Sequence, residues 1–195
     1  LPYSERDMPV VEQKQKSNEW FTPLRYIEAA REVMGSIDLD PASCALANKT
    51  VKAARYYTKE DDGLSKVWRG NVWCNPPFGN VIPLSGAKGS YQRFFVQKLL
   101  KEYERGNVEQ AIILLLGNCC FNRYYTSLWD YPACFHDGNI YFQRADGSKG
   151  LFGFGTILVY LGPNEQKFID VFSQFGRIAR AIDTPRMPST PRSLW

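Results

Sequence analysis

Histidine is nearly absent. His136 is the only one in 195 residues, which excludes His-rich metal sites, histidine-dyad phosphodiester chemistry and most charge-relay schemes, because each needs an imidazole beside a second ligand or nucleophile. The five cysteines, Cys44, Cys74, Cys119, Cys120 and Cys134, show no CxxC spacing and sit in apolar stretches, as reduced, buried cysteines of a cytoplasmic protein do. No apolar run approaches the roughly 18 residues of a membrane span. The longest, Ala111 to Leu116, has only strand length, and the N-terminus shows no signal-peptide core. Neither a metal nor a membrane is therefore expected as a partner. The opening Leu1 in place of Met fits a fragment or a trimmed chain.

What is present describes a folded globular chain: 44% hydrophobic, 23% charged and 14% aromatic residues, at the size of one domain. The net charge of +4 permits an anionic partner such as nucleic acid without pointing to one. Residues 1–18 mix charge, Pro and Gln without periodicity and read as a flexible lead-in, and 184–195, with three Pro and two Arg, as a loose tail. A single domain over 19–183 remains, with no internal repeat.

Within it, Pro23 starts an amphipathic helix through Ile27, Ala30, Val33 and Met34 that Gly35 stops. A short strand, Ser36 to Leu39, ends in Asp40-Pro41. Leu46 to Ala54 is weakly helical, Arg55 to Thr58 fits a short strand, and the strand Asn71 to Cys74 runs straight into Asn75-Pro76-Pro77-Phe78. After a glycine-containing loop, Gly79 to Ser90, a helix is expected from about Tyr91 to Arg105. The apolar run Ala111 to Leu116 reads as a central parallel strand covered on both faces. A helical piece near Tyr124, strands at Ala133 to His136, Ile140 to Gln143 and Thr156 to Leu161, and a helix from Glu165 to Phe175 complete the chain. Alternating strands and helices followed by a strand-rich final third predict an α/β sheet, mostly parallel with an antiparallel edge and helices on both faces.

In such sheets ligands lie beyond the carboxyl ends of parallel strands, which is where Asn75 to Phe78 falls. Two consecutive prolines fix two φ angles and remove two N–H donors, leaving a stiff turn with free carbonyls. An amide before it and an aromatic ring after it suit a planar base, the amide oxygen accepting from an amino group while the ring stacks. A proline turn that merely caps a strand is the ordinary alternative. Asn118, after the apolar strand, is a second polar candidate on the same edge. Cys119 and Cys120 lack a basic partner and read as structural, and His136 as a strand residue.

The ordered segments W-F-T-P (Trp20 to Pro23), I-D-L-D-P-A-S (Ile37 to Ser43), Y-Y-T-K-E-D-D-G-L (Tyr56 to Leu64) and V-W-C-N-P-P-F-G (Val72 to Gly79) resemble the phage-type DNA N-6-adenine methyltransferases, the phage Dam family. The resemblance runs from about Asn18 to Ile182. It implies a Rossmann-like methyltransferase sheet, S-adenosylmethionine as cofactor, DNA as partner, and work in the cytoplasm of a bacterial or phage-infected cell. It also implies Asn75, Pro76, Pro77 and Phe78 as the catalytic tetrad. Trp20, Phe21, Thr22, Pro23, Asp38, Asp40, Pro41, Asp61 and Asp62 become its cofactor-side residues. Thr22 would grip the methionine carboxylate at a helix start, a helix N-cap being the alternative. Asp40 would meet the ammonium or sulfonium charge, with capping of the following helix as the ordinary alternative. Lys88, Arg93, Arg123 and Arg144 are the candidates for DNA phosphate contact.

Two departures from the family pattern stand out. D-P-A-S-C-A-L-A-N carries no glycine where methyltransferases of this architecture have a glycine-rich loop, and the F-G-F-G of Phe152 to Gly155 reads as strand and turn. Only about 35 residues separate Asp40 from Asn75, so the sheet is expected to be one strand–helix unit short. That leaves Glu60, Asp61 and Asp62 as the acidic cluster for the cofactor ribose. Since the N/D-PP-Y/F tetrad also serves amino-methyltransferases of RNA and protein glutamine, those acceptors are alternatives, as is a nucleic-acid-binding protein without turnover. Nothing in the sequence bears on oligomeric state.

Overall fold

The structure, a computed structural model, describes residues 20–81, 89–121, 123–144, 146–151 and 153–181, excepting the side chains of Asn80, Val81, Cys120, Phe121, Arg123 and Tyr124. The lead-in over 1–18, Lys88, Phe152 and the tail over 184–195 lie outside the described residues. In chain order the elements are α1 (Leu24–Met34), β1 (Leu39–Asp40), α2 (Ala45–Val51), β2 (Arg55–Tyr56), a 3-10 turn at Gly63–Ser65, β3 (Gly70–Cys74), β4 (Asn80–Val81), β5 (Gly89–Ser90), α3 (Tyr91–Glu104) and β6 (Val108–Leu116). There follow 3-10 segments at Gly117–Phe121 and Arg123–Asp130, β7 (Ala133–His136), β8 (Phe142–Gln143), β9 (Lys149–Gly150), β10 (Thr156–Leu161), α4 (Glu165–Phe172) and β11 (Gly176–Ala179).

Seven strands make one sheet in the order β11-β7-β10-β6-β3-β1-β2. From β2 through β1 and β3 to β6 the neighbours are parallel; β10 pairs antiparallel with both β6 and β7, and β11 antiparallel with β7. Five strands thus share one direction, and the antiparallel additions lie at one edge. Between β1 and β3 the chain makes only α2, β2 and the 3-10 turn, the shortened crossover that the spacing of Asp40 and Asn75 implies. β6 differs from expectation in one respect: it is parallel to β3 alone, and its other neighbour runs against it. An unbroken apolar run reports burial on both faces, not the direction of the adjacent strand.

The two faces have separate cores. Ile112 and Leu114 of β6 point with Trp73, Leu158 and Tyr160 toward Ile27, Ala30 and Val33 of α1 and Phe168 and Phe172 of α4. Their alternates Ala111, Ile113 and Leu115 point with Val72, Cys74 and Val159 toward Phe95, Val96 and Leu99 of α3. This is the period-2 geometry of a strand applied to a sheet sandwiched by helices. α1 begins after Pro23, whose φ of −60° and ψ of 144° turn the chain into the helix, and stops at Gly35, whose φ of +83° few other residues adopt.

At the end of the sheet opposite Asn75, the last carbonyls of α1 are held by a buried polar network. Gln110 Nε2 donates to the Met34 carbonyl at 3.1 Å and Asn71 Nδ2 donates to the same oxygen at 3.1 Å. The Tyr160 hydroxyl donates to Gln110 Oε1 at 2.9 Å, and Asn164 Nδ2 reaches that oxygen and the Val33 carbonyl, each at 3.3 Å. These bonds fix the angle at which α1 leaves the sheet, and hence where its other end, with Thr22, stands. Gln110→Met keeps the volume but removes donor and acceptor together. It should cost about 2–3 kcal/mol in urea denaturation; a loss below roughly 0.5 kcal/mol would show the network to be dispensable.

Candidate active site

β3 is buried along Asn71 to Cys74, and the chain leaves it as Asn75-Pro76-Pro77-Phe78, with Pro76 buried, Pro77 exposed and Phe78 half-buried. Two prolines deny this turn the amide donors for regular pairing, so its shape rests on side chains. Asn75 Nδ2 donates to the Trp20 carbonyl at 3.0 Å and to Thr22 Oγ1 at 3.2 Å. A peptide carbonyl can only accept, so the amide orientation is fixed by chemistry. Asn75 Oδ1 is left buried with no hydrogen-bond partner and able to accept from a ligand group. The Thr22 hydroxyl does not cap α1, which has Pro23 at its N-cap and no side-chain capping bond. It serves Asn75 instead and keeps its own proton to donate.

The W-F-T-P segment is stitched to a late hairpin. Phe21 and Gln143 exchange both backbone bonds, at 2.8 and 3.1 Å. The Arg144 guanidinium lies over the Trp20 ring, 4.1 Å from its centroid. Phe142 meets Trp20 and Phe78 edge-to-face, with centroids 6.4 and 6.0 Å away. Phe142, Gln143 and Gly150 are participants that the sequence reading misses; the Asp146-Gly147 pair between them is a hairpin signal that could have exposed them.

One strand over, Asp40 ends β1 with only 3% of its surface exposed. Burial pushes its carboxyl up to about 7, against the help of the Ala42 N–H, which donates to it at 3.2 Å. Among the described residues no Lys or Arg forms an ion pair with it. The neighbouring Cys74 thiol is raised well above its ordinary value by burial and by Asp40, which leaves it inert. The loop after β1 lacks glycine, and Gly63 of the later turn packs on it: a Cβ on Gly63 would sit 2.0 Å from the Pro41 carbonyl oxygen. The Asp61 to Gly63 turn therefore lies against Pro41. Asp61 accepts from the Thr58 N–H and hydroxyl, both at 2.9 Å, which holds its carboxyl below the usual range. Asp62, at φ +51°, opens the 3-10 turn.

The remaining candidates stand apart from this group. The Asp38 carboxylate accepts from the Asn71 N–H at 2.8 Å and the Ser36 hydroxyl at 2.9 Å, at the start of β3 and so at the opposite end of the strand from Asn75. Its side chain secures the strand. Arg93 lies in the first turn of α3, over the Phe94 ring at 5.5 Å. Asn118 is exposed beyond β6 and Cys119 buried. His136 Nε2 is hydrogen-bonded to the Tyr26 hydroxyl at 2.7 Å, and burial lowers its imidazole pKa. Lys88 and the Arg123 side chain lie outside the described residues. Among the described residues no group of three His, Cys, Asp or Glu could hold a metal ion, and no helix is long and apolar enough to cross a membrane.

No curated protein matches the sequence. Among solved structures, one described as a class I S-adenosylmethionine-dependent methyltransferase from Listeria monocytogenes superposes with a TM-score of 0.45 at 10% identity over 91% of this chain. The chain spans 66% of the length of that protein. A family profile described as DNA N-6-adenine-methyltransferase (Dam) matches residues 11–131. The matched stretch takes in the Trp20–Thr22 segment, the buried carboxylate at the end of β1 and the proline turn after β3. By that match the chain belongs to the DNA N-6-adenine-methyltransferase (Dam) family.

Proposed function

We propose that this chain, as a single domain over residues 19–183, transfers a methyl group from S-adenosylmethionine to N6 of an adenine held out of the DNA helix at the Asn75–Phe78 turn. The observation that carries the reading is the buried, unpartnered Asn75 Oδ1 on an amide whose other end is fixed. An adenine amino group is a weak nucleophile because its lone pair is delocalised into the ring. Asn75 Oδ1 and the Pro76 carbonyl accept its two N–H groups, which draws the lone pair onto nitrogen and along the line of transfer. The same oxygens hold the surplus proton after transfer until water removes it. Such a site works by alignment and fixed dipoles and needs no imidazole. N6 cannot be reached inside a duplex, so the base is turned out and Phe78 stacks on it.

The residues present fit the cofactor. S-adenosylmethionine, when bound, supplies a methyl group made electrophilic by its sulfonium sulfur. Asp40, desolvated and without a cationic partner, suits the positively charged end, and the Thr22 proton suits the carboxylate. Asp61 and Asp62, beside Pro41, suit the ribose and adenine. RNA and protein glutamine are less favoured acceptors, because the family match is to DNA enzymes.

Asn75→Ala should lower methyl transfer by about two to three orders of magnitude and leave calorimetric S-adenosylmethionine affinity within a few-fold. Asp40→Ala should do the reverse; the opposite pattern would exchange the two assignments. Because the Asp40 carboxyl is raised to about 7, the ligand-free fold keeps a proton that the unfolded chain loses from about pH 4 upward. Its stability should therefore decline as pH rises through that window. A cation binds the ionised form, so cofactor affinity should fall roughly tenfold from pH 8 to pH 6, and Asp40→Asn should flatten both trends. Phe78→Ala should cost one to two orders of magnitude in efficiency, as about 1–3 kcal/mol of lost stacking implies, while Phe78→Tyr retains most of it. Collapse of folding in both variants would return Phe78 to the core.

A further inference from the structure

We infer that the β8–β9 pair is the positioning element of the reaction. Arg144 and Gly150 act through Trp20 by holding its carbonyl where it fixes the Asn75 amide. The inference rests on the role proposed for Asn75, but its geometry stands independently. Asn75 Nδ2 has two acceptors, and one of them, the Trp20 carbonyl, belongs to a segment preceding α1. Trp20 precedes the helix, and the hairpin packs on it. The hairpin contributes the Phe21–Gln143 backbone bonds next to it in sequence, the Arg144 guanidinium at 4.1 Å from the indole centroid, and the edge of Phe142.

Gly150 makes the fourth wall of this slot. A Cβ there would sit 2.6 Å from Trp20 Cζ3 and 2.8 Å from Cη2, closer than side chains pack. The Gly150 φ is not among the positive ones, so the close approach, not backbone strain, requires glycine. Phe142 adds a second line of support, because its ring also borders Phe78. The pair therefore braces both ends of the tetrad, the amide through Trp20 and the ring through Phe142. Arg144 is a positioning residue: its cation–π and stacking contact with an indole is the kind worth most when partly desolvated. That role differs from phosphate binding, which depends on its charge alone.

Gly150→Ala changes no charge and collides with Trp20, meeting Arg144 only at an ordinary contact distance of 3.7 Å, so it separates the two roles. It should lower the single-turnover rate of methyl transfer about tenfold, the order that a sub-ångström misplacement produces, with DNA and S-adenosylmethionine dissociation constants within about twofold. Arg144→Met, which keeps a flexible chain on the indole, should lose about threefold, against about tenfold for Arg144→Ala. The Asn75 side-chain amide, assigned in 1H–15N spectra by its absence from Asn75→Ala, reports the same thing without turnover and should shift or broaden in Gly150→Ala. A wild-type rate or an unmoved amide resonance in Gly150→Ala overturns the inference. So does an Arg144→Met variant that loses DNA affinity as fully as Arg144→Ala. An amide that moves while the wild-type chain methylates no adenine supports the clamp and counts against the proposed reaction instead.

Discussion

Both protons of the Asn75 amide are committed within the protein, to the Trp20 carbonyl and the Thr22 hydroxyl, and the rest of the site follows from that commitment. It leaves the oxygen of the amide as a buried acceptor with no partner. It also ties three distant stretches together: the end of β3, the start of α1 and, through Phe21 and Gln143, the β8–β9 hairpin. Leaving a buried acceptor unpaired costs on the order of 1–3 kcal/mol. The surroundings therefore have to hold it rigidly, and two prolines on one side and a stacked indole on the other do so.

The scaffold is arranged to place these pieces independently. β6 divides its side chains between two cores, one under α1 and α4 and one under α3, so the sheet edge carrying Asn75 is clamped from both faces. At the far end of the sheet Gln110, Asn71 and Asn164 hold the last carbonyls of α1, which sets the helix axis and hence the height of Thr22. Asp38 pins the start of β3 while Asp40, two residues on, is kept buried at the other end of the short β1. The two aspartates differ in setting: Asp38 accepts from the Asn71 N–H and the Ser36 hydroxyl, while burial raises the carboxyl of Asp40 to about 7.

Much of this was legible in the sequence. Pro23 and Gly35 bracket α1, the apolar run of β6 announces a strand buried on both faces, and the position of Asn75-Pro76-Pro77-Phe78 directly after a strand marks the site edge. The short interval from Asp40 to Asn75 announces the missing strand–helix unit. Less legible were features made by tertiary pairing. β9 is a two-residue strand and β11 reads Gly176-Arg177-Ile178-Ala179, with no alternation to give it away. The direction of β10 against β6 has no local signature. Asp38 and Asp40 look equivalent at a spacing of two, and the tertiary bond from the Asn71 N–H to Asp38 is one feature that distinguishes them. The packing of Gly63 on Pro41 is likewise a contact that no linear reading can see.

The central claim is that the unpartnered oxygen of Asn75 receives the amino group of an adenine in DNA. Its most direct test is incubation with methyl-labelled S-adenosylmethionine and DNA, RNA or protein in separate reactions, followed by mass spectrometry of the digested products. The account predicts N6-methyldeoxyadenosine from DNA, lost in Asn75→Ala. Label found in N-methylglutamine or in RNA but not in DNA would contradict it.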